Sequence, residues 1–302
     1  MGAVQELAAA ARAAADSVGP SVVRIGRGGG RGCGVIVADG LVATNAHNLR
    51  GDEATVTFDD GRAATGTVAG IDVDGDLAVL RVDTGGAAAV NWADGEGATT
   101  GDVVFAVTRS AAGGTRVSFG LVSATERAFR GPRGRRITGS VEHTAPLVRG
   151  SSGGPIVDAE GRLLGLNTNR LGDGFYLALP ADAELRARVD ALAAGQSPAT
   201  PRLGLGLAPS AVARKLRRSV GLPERDGLLV RVVEEGGPAD RAGVKRGDLI
   251  VEAAGSPVTT TDELYGALDT AGEALTLKIV RGVDELEVRV SFAADGGGAG
   301  EA

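Results

Sequence analysis

Cysteine occurs once in the 302 residues and histidine twice. Cys33 therefore has no internal disulfide partner, and one thiol with two imidazoles falls short of a structural zinc site. No metal and no cofactor are expected. Aromatic residues make up only 3 % of the chain, so its cores must be built from Val, Leu, Ile and Ala. No run of about 18 apolar residues occurs, and no transmembrane helix is expected. The N-terminus lacks a basic segment followed by an apolar one, because Glu6, Arg12 and Asp16 interrupt its Ala-rich stretch. It reads as a helix over residues 1–17, and the chain as cytoplasmic, or as periplasmic or extracellular if a leader was removed. Acidic residues are in excess, and a net charge of -6 argues against a nucleic-acid partner, since phosphate binding requires a basic face.

Glycine is abundant, with 49 residues, which predicts many tight turns. Short apolar segments recur between turn signals: Val22 to Ile25, Gly34 to Val37, Leu41 to Thr44, Ala54 to Phe58, Ala64 to Ile71, Leu77 to Val82, Val103 to Thr108 and Val117 to Ser123. That spacing predicts an all-β barrel architecture over residues 18–193, closed by a helix near Ala181 to Leu192. One basic run, Arg127, Arg130, Arg133, Arg135 and Arg136, is interrupted by Gly131, Pro132 and Gly134 and reads as a solvated loop. Residues 194–202 form a polar, Pro-containing linker. A second unit, 203–292, mixes strands (Gly227 to Val233, Asp248 to Ala253, Leu275 to Val280, Leu286 to Phe292) with helices near Ser210 to Ser219 and Thr261 to Thr270. Thr260 and Glu263 form a plausible cap for the latter. The Gly-rich tail, 293–302, is expected to be disordered.

Gly150-Ser151-Ser152-Gly153-Gly154 satisfies the G-x-S-x-G pattern of a hydrolase nucleophile elbow. That fold requires a helix after the serine and a histidine later in the chain. Here Pro155-Ile156-Val157 and Leu163 to Leu166 read as a β-hairpin, and His47 and His143 both precede Ser152. The order His, acid, Ser can be satisfied by His47, Asp76 and Ser152, each at the end of a different segment, as nucleophile, base and orienter require. Asp72, Asp74 and Asp76 suggest a calcium loop, but Gly75 precedes the third acid and no suitable Glu closes the motif.

Six blocks together resemble the HtrA/Deg serine proteases: Gly32-Cys33-Gly34-Val35-Ile36-Val37, Thr44-Asn45-Ala46-His47, Asp76-Leu77-Ala78-Val79-Leu80, Gly120-Leu121-Val122-Ser123-Ala124, Gly150 to Pro155 and Gly165-Leu166-Asn167-Thr168. Downstream, Gly237 to Val244 and Gly247-Asp248-Leu249-Ile250 resemble the signature of a PDZ domain. The resemblance implies a mainly β fold: a chymotrypsin-like double β-barrel followed by a small α+β PDZ domain. It implies a serine endopeptidase acting on unfolded or damaged proteins through the triad His47, Asp76 and Ser152. The oxyanion hole falls on Gly150, Ser151 and Ser152, with the N–H groups of Gly150 and Ser152 as donors. The specificity pocket falls on Leu166, Asn167, Thr168, Asn169 and Arg170. Arg170 stands where an apolar residue commonly borders that pocket, so acidic or polar substrate side chains are expected there. Leu203, Gly204 and Leu205 would hold the carboxylate of a C-terminal peptide. A homotrimer is a further implication, although the aromatic residues that usually lock it are missing before Phe58. Two other readings stay open: a catalytically silent PDZ-containing chaperone or adaptor, and an esterase without proteolytic activity. Cys33 reads as a buried hydrophobe rather than a redox switch.

Overall fold

The computed structural model describes residues 2–26, 31–93, 97–110, 113–198 and 201–292. The chain divides into two compact units, residues 1–198 and 199–302. The expected tail, 293–302, lies outside the described residues.

In the first unit, helix α1 (Ala3–Val18) buries Ala14 and Val18, with Leu7, Ala10 and Ala11 packed on the same cluster. This 3–4 spacing gives the helix one apolar stripe. Six strands then form a closed barrel: β1 (Val22–Ile25), β2 (Gly32–Ala38), β3 (Leu41–Thr44), β4 (Glu53–Thr57), β5 (Ala63–Asp72) and β6 (Leu77–Arg81), in the order β1-β2-β3-β6-β5-β4. Period-two alternation splits their apolar residues between two cores. Val23, Ile25, Ile36, Val42 and Leu80 belong to a cluster confined to this barrel. Val22, Val35, Ala43 and Val79 join strands of the second barrel and both flanking helices in a larger cluster. Each fully buried Val, Leu or Ile is worth roughly 1.5–3 kcal/mol, so this shared cluster fixes one barrel on the other.

The second barrel comprises β7 (Asn91–Trp92), β8 (Val103–Arg109), β9 (Thr115–Arg130), β10 (Arg136–His143), β11 (Pro155–Val157), β12 (Arg162–Gly172) and β13 (Phe175–Pro180). Their order is β11-β8-β9-β10-β13-β12-β7, and β11 also pairs with β12, closing the ring. Helix α2 (Ala183–Ala193) follows, its N-cap Asp182 accepting from the Leu185 N–H at 2.8 Å.

The basic run is not the solvated loop expected from its glycines and proline. Arg127 and Arg130 end β9, Arg136 opens β10, and only residues 131–135 form the turn. Arg127 Nε lies 2.9 Å from Glu142 Oε2 on the paired strand, and Arg135 Nε 3.6 Å from Asp74 Oδ2. Opposite charges across the hairpin replace the apolar alternation that would have signalled strands.

The second unit is a mixed α+β fold. It contains β14 (Leu205–Ala208), α3 (Ser210–Ser219), β15 (Leu228–Val233), α4 (Pro238–Arg241), β16 (Leu249–Ala253), β17 (Ser256–Pro257), α5 (Thr261–Thr270), β18 (Ala274–Arg281) and β19 (Asp284–Ser291). The strand order β14-β15-β16-β18-β19 leaves β14 at an edge, and β17 pairs with β16. Thr260 and Glu263 form the anticipated capping box of α5, with Glu263 Oε2 accepting from the Thr260 N–H at 2.9 Å.

Candidate active site

Each candidate side chain is delivered by a strand end of the first unit. β3 runs into a short 3-10 turn, Ala46–Asn48, which carries His47. Asp76 immediately precedes β6 with φ of 51°, a left-handed conformation uncommon for a residue with a Cβ. Four donors hold it there. Asp76 Oδ1 accepts from the His47 main-chain N–H at 3.2 Å, and Nδ1 of the His47 ring lies 2.9 Å from each carboxylate oxygen. Thr168 Oγ1 donates to Asp76 Oδ2 at 2.6 Å, and Asn45 Nδ2 donates to the Asp76 main-chain oxygen at 3.0 Å. The carboxylate is buried while the imidazole is 37 % exposed, so the ring is oriented from behind and open in front.

The three alternating acids have three different partners. Asp72 pairs with Arg188 of α2 at 2.8 Å, Asp74 faces Arg135, and Asp76 holds His47. Arg188 also donates to the Gly75 carbonyl at 3.1 Å, clamping the loop that presents Asp76.

Ser152 sits in the turn between β10 and β11. Its main-chain oxygen accepts from the Cys33 N–H at 2.7 Å and from Asn48 Nδ2 at 3.0 Å. These bonds tie the turn to β2 and to the turn that carries His47. Gly153 has φ of +84°, and a Cβ there would lie 2.2 Å from the Cys33 oxygen. Only glycine fits this approach. The Ser152 hydroxyl donates to the Thr168 carbonyl at 3.1 Å. Among the described residues no hydrogen bond joins it to His47, but His47, Asp76 and Ser152 line one cavity of about 570 Å³.

Of the three residues expected to frame the oxyanion hole, Ser151 has its N–H committed to the Val148 carbonyl at 3.2 Å. No acceptor takes the N–H of Gly150 or Ser152 among the described residues. Cys33 Sγ donates to the Gly150 carbonyl at 3.3 Å. Burial pushes the Cys33 thiol above its ordinary pKa, although Arg109 and Arg24 pull it down. It therefore stays a neutral donor.

Leu166 does not belong to the pocket: it is fully buried in the shared core. Asn167, Thr168, Asn169 and Arg170 do line the cavity, and a bulge between Asn167 and Asn169 breaks the alternation that would have turned every second residue away. Thr168 serves Asp76 and Ser152 more directly than it serves specificity. Asn167 accepts from the Gly153 N–H at 2.6 Å through its main chain and donates its amide to Gly154 at 2.9 Å. Its side-chain oxygen lies 2.8 Å from His143 Nε2. Burial lowers the His143 pKa to about 4, against a smaller upward pull from the Asn167 bond, so this second histidine is a neutral strut.

Sequence reasoning missed Phe129, Gly131, Pro132 and Tyr176, which also line the cavity. Phe129 lies near the charged end of β9, Gly131 and Pro132 lie in the turn that follows it, and Tyr176 lies on β13, none of them within the six blocks. In the second unit Leu203 is buried, Gly204 has φ of +74°, and the Gly204 carbonyl accepts from the Glu234 N–H at 2.9 Å. These residues lead directly into the edge strand β14.

Comparison with known proteins agrees with this geometry. A model of the trypsin-like peptidase domain matches residues 32–166, and one of the PDZ domain matches 229–281. The putative serine protease HhoA of Synechocystis sp. is 33% identical over 280 residues, 87% of this chain and 71% of that protein. The mitochondrial serine protease HTRA2 of Drosophila pseudoobscura pseudoobscura is 30% identical over 85% of this chain and 64% of its own length. A probable periplasmic serine endoprotease, DegP-like, from Halomonas elongata is 30% identical over 86% of this chain and 56% of its own. Among solved structures, the serine endoprotease from Yersinia pestis superposes with a TM-score of 0.60 at 25% identity over 93% of this chain and 96% of that one. The HtrA-type protease AlgW with decapeptide gives 0.62 at 23% identity, over 93% and 97%. The chain belongs to the HtrA-type serine proteases, with a trypsin-like peptidase domain followed by a PDZ domain.

Proposed function

We propose that Ser152, His47 and Asp76 hydrolyse peptide bonds of unfolded or damaged proteins by acyl transfer to water. The observation that carries this reading is the His47 ring, fixed through Nδ1 by a buried carboxylate 2.9 Å away and facing the cavity that holds Ser152. Asp76 accepts a hydrogen bond from Nδ1–H of His47, which keeps the proton on Nδ1 and presents the unprotonated Nε2 to the cavity. The Ser152 hydroxyl leaves the Thr168 carbonyl, gives its proton to His47 Nε2 and attacks the substrate carbonyl. The N–H groups of Gly150 and Ser152 receive the developing oxyanion. Losing one such donor costs about 10²–10³ in rate. The protonated imidazole then returns its proton to the leaving amine, and water repeats the sequence on the acyl-enzyme. A silent adaptor needs no imidazole held by a buried acid, and this pairing favours the enzyme.

The same proposal divides the chain into a protease domain over 18–193, preceded by a helix over 1–17, a linker over 194–202 and a PDZ domain over 203–292. Backbone groups of Leu203, Gly204 and Leu205 hold the carboxylate of a C-terminal peptide, which extends along the open edge of β14 as an added strand. Trimer formation follows the family arrangement. Degradation of unfolded casein, lost in both Ser152→Ala and His47→Ala with the fold intact by circular dichroism, tests the reading. Casein left intact by the unmodified chain, or degraded equally by both variants, would refute it.

A further inference from the structure

The chain as a whole is acidic, with a net charge of -6, yet its cleft is cationic. In the cavity of Ser152 the only carboxylate among the described lining residues is Asp76, which is committed to His47 and Thr168. Arg130, Arg149 and Arg170 line the same cavity. Arg149 and Arg170 are exposed; Arg170 lies with its guanidinium 5.7 Å from the centre of the Tyr176 ring.

A second cavity, of about 240 Å³, is lined by part of the same loop. It shares Val148, Arg149 and Gly150 with the first and is completed by Arg24, Gly32, Arg109, Ser110 and Arg116. No described residue lining it carries a carboxylate. Arg109 is buried and its charge is met by the Asp59 carboxylate, whereas Arg116, on the exposed face of β9, and Arg149 present theirs at the surface.

The two cavities share Val148, Arg149 and Gly150, and only the first is lined by His47, Asp76 and Ser152. We propose that the enzyme selects acidic segments, with Asp or Glu beside the cleaved bond met by Arg170 and Arg149 in the first cavity and by Arg116 and Arg149 in the second. This rests on the proteolytic reading of the Ser152 site. Arginine at such positions can bind a carboxylate through two parallel N–H donors, and like charge on a basic substrate opposes binding.

Internally quenched peptides sharing one scissile sequence test this, carrying Glu, Ala or Lys either at the two positions after the cleaved bond or at the two before it. At 50 mM NaCl the Glu peptides should exceed the Ala peptides in kcat/KM by about three- to tenfold, and the Lys peptides should fall below both. The preference should shrink at 500 mM NaCl. Arg116→Gln should reduce the Glu/Ala ratio for one set only, and Arg170→Gln for the other set only, each with an unchanged circular dichroism spectrum. Equal kcat/KM for Glu and Ala peptides, or ratios indifferent to both variants, would overturn the proposal while leaving the protease intact. Competitive inhibition by a single-stranded oligonucleotide without any acidic-peptide preference would overturn it in favour of nucleic acid. No cleavage of any peptide, with Ser152 unreactive toward a fluorophosphonate, would overturn the proteolytic reading and this one with it.

Discussion

Thr168 touches Ser152 and Asp76 at once: its carbonyl accepts the Ser152 hydroxyl at 3.1 Å, and its own hydroxyl donates to Asp76 Oδ2 at 2.6 Å. One residue of β12 therefore holds the proposed nucleophile and fixes the carboxylate that orients the His47 ring. Thr168→Val removes the side-chain bond and keeps the shape. A hydrogen bond to a charged group is worth about 1.5–3 kcal/mol, so peptide kcat/KM should fall by roughly 10- to 100-fold. Thr168→Ser should restore most of it. Equal activity of the Val and Ser variants would remove Thr168 from the mechanism.

Cys33 is the second positioning residue. Its Sγ donates to the Gly150 carbonyl at 3.3 Å, which orients the peptide between the two expected oxyanion donors. Cys33→Ala should lower kcat by a fewfold with little change in KM. The buried thiol, with its pKa raised by burial, should resist iodoacetamide at neutral pH in the folded chain and react once denatured. Fast alkylation of the native chain would contradict its placement.

Gly153→Ala tests the junction between the barrels. The added Cβ would stand 2.2 Å from the Cys33 oxygen, on a backbone with φ of +84°. Strain and overpacking together should cost roughly 2–4 kcal/mol, read as a lowered urea midpoint and lost peptidase activity. A variant as stable as the parent would show that this approach is not close.

His143 should make stability fall on acidification. Its folded pKa is about 4, against an ordinary value near 6.5 in the unfolded chain. Between those values the unfolded chain binds the extra proton, so stability decreases as pH drops from about 6.5 to 4. The loss approaches about 3 kcal/mol and stays constant below pH 4. Urea unfolding at pH 7 and 4.5 should show a larger loss for the parent than for His143→Gln. Identical losses would place the titration elsewhere.

The fold class was legible in the sequence, and the residues proposed as the triad could be singled out there, because they stand in contiguous motifs: Thr44 to His47, Asp76 to Leu80, and Gly150 to Pro155. The β9–β10 hairpin was not, since its residues are paired by charge, Arg127 with Glu142, and its turn is rich in Gly and Pro. Leu166 was placed in the pocket although strand alternation turns it to the core. Its neighbours Asn167 to Arg170 share one cavity only because of a bulge that no residue pattern announces. The bridging role of Thr168 depends on a main-chain carbonyl, which sequence does not distinguish from any other.

Covalent mapping is the most direct test of the central claim. After incubation with a fluorophosphonate, peptide mass spectrometry of the intact chain should find one adduct, on Ser152, formed many times more slowly in His47→Ala. An unmodified Ser152, or an adduct formed at the same rate without His47, would contradict the account.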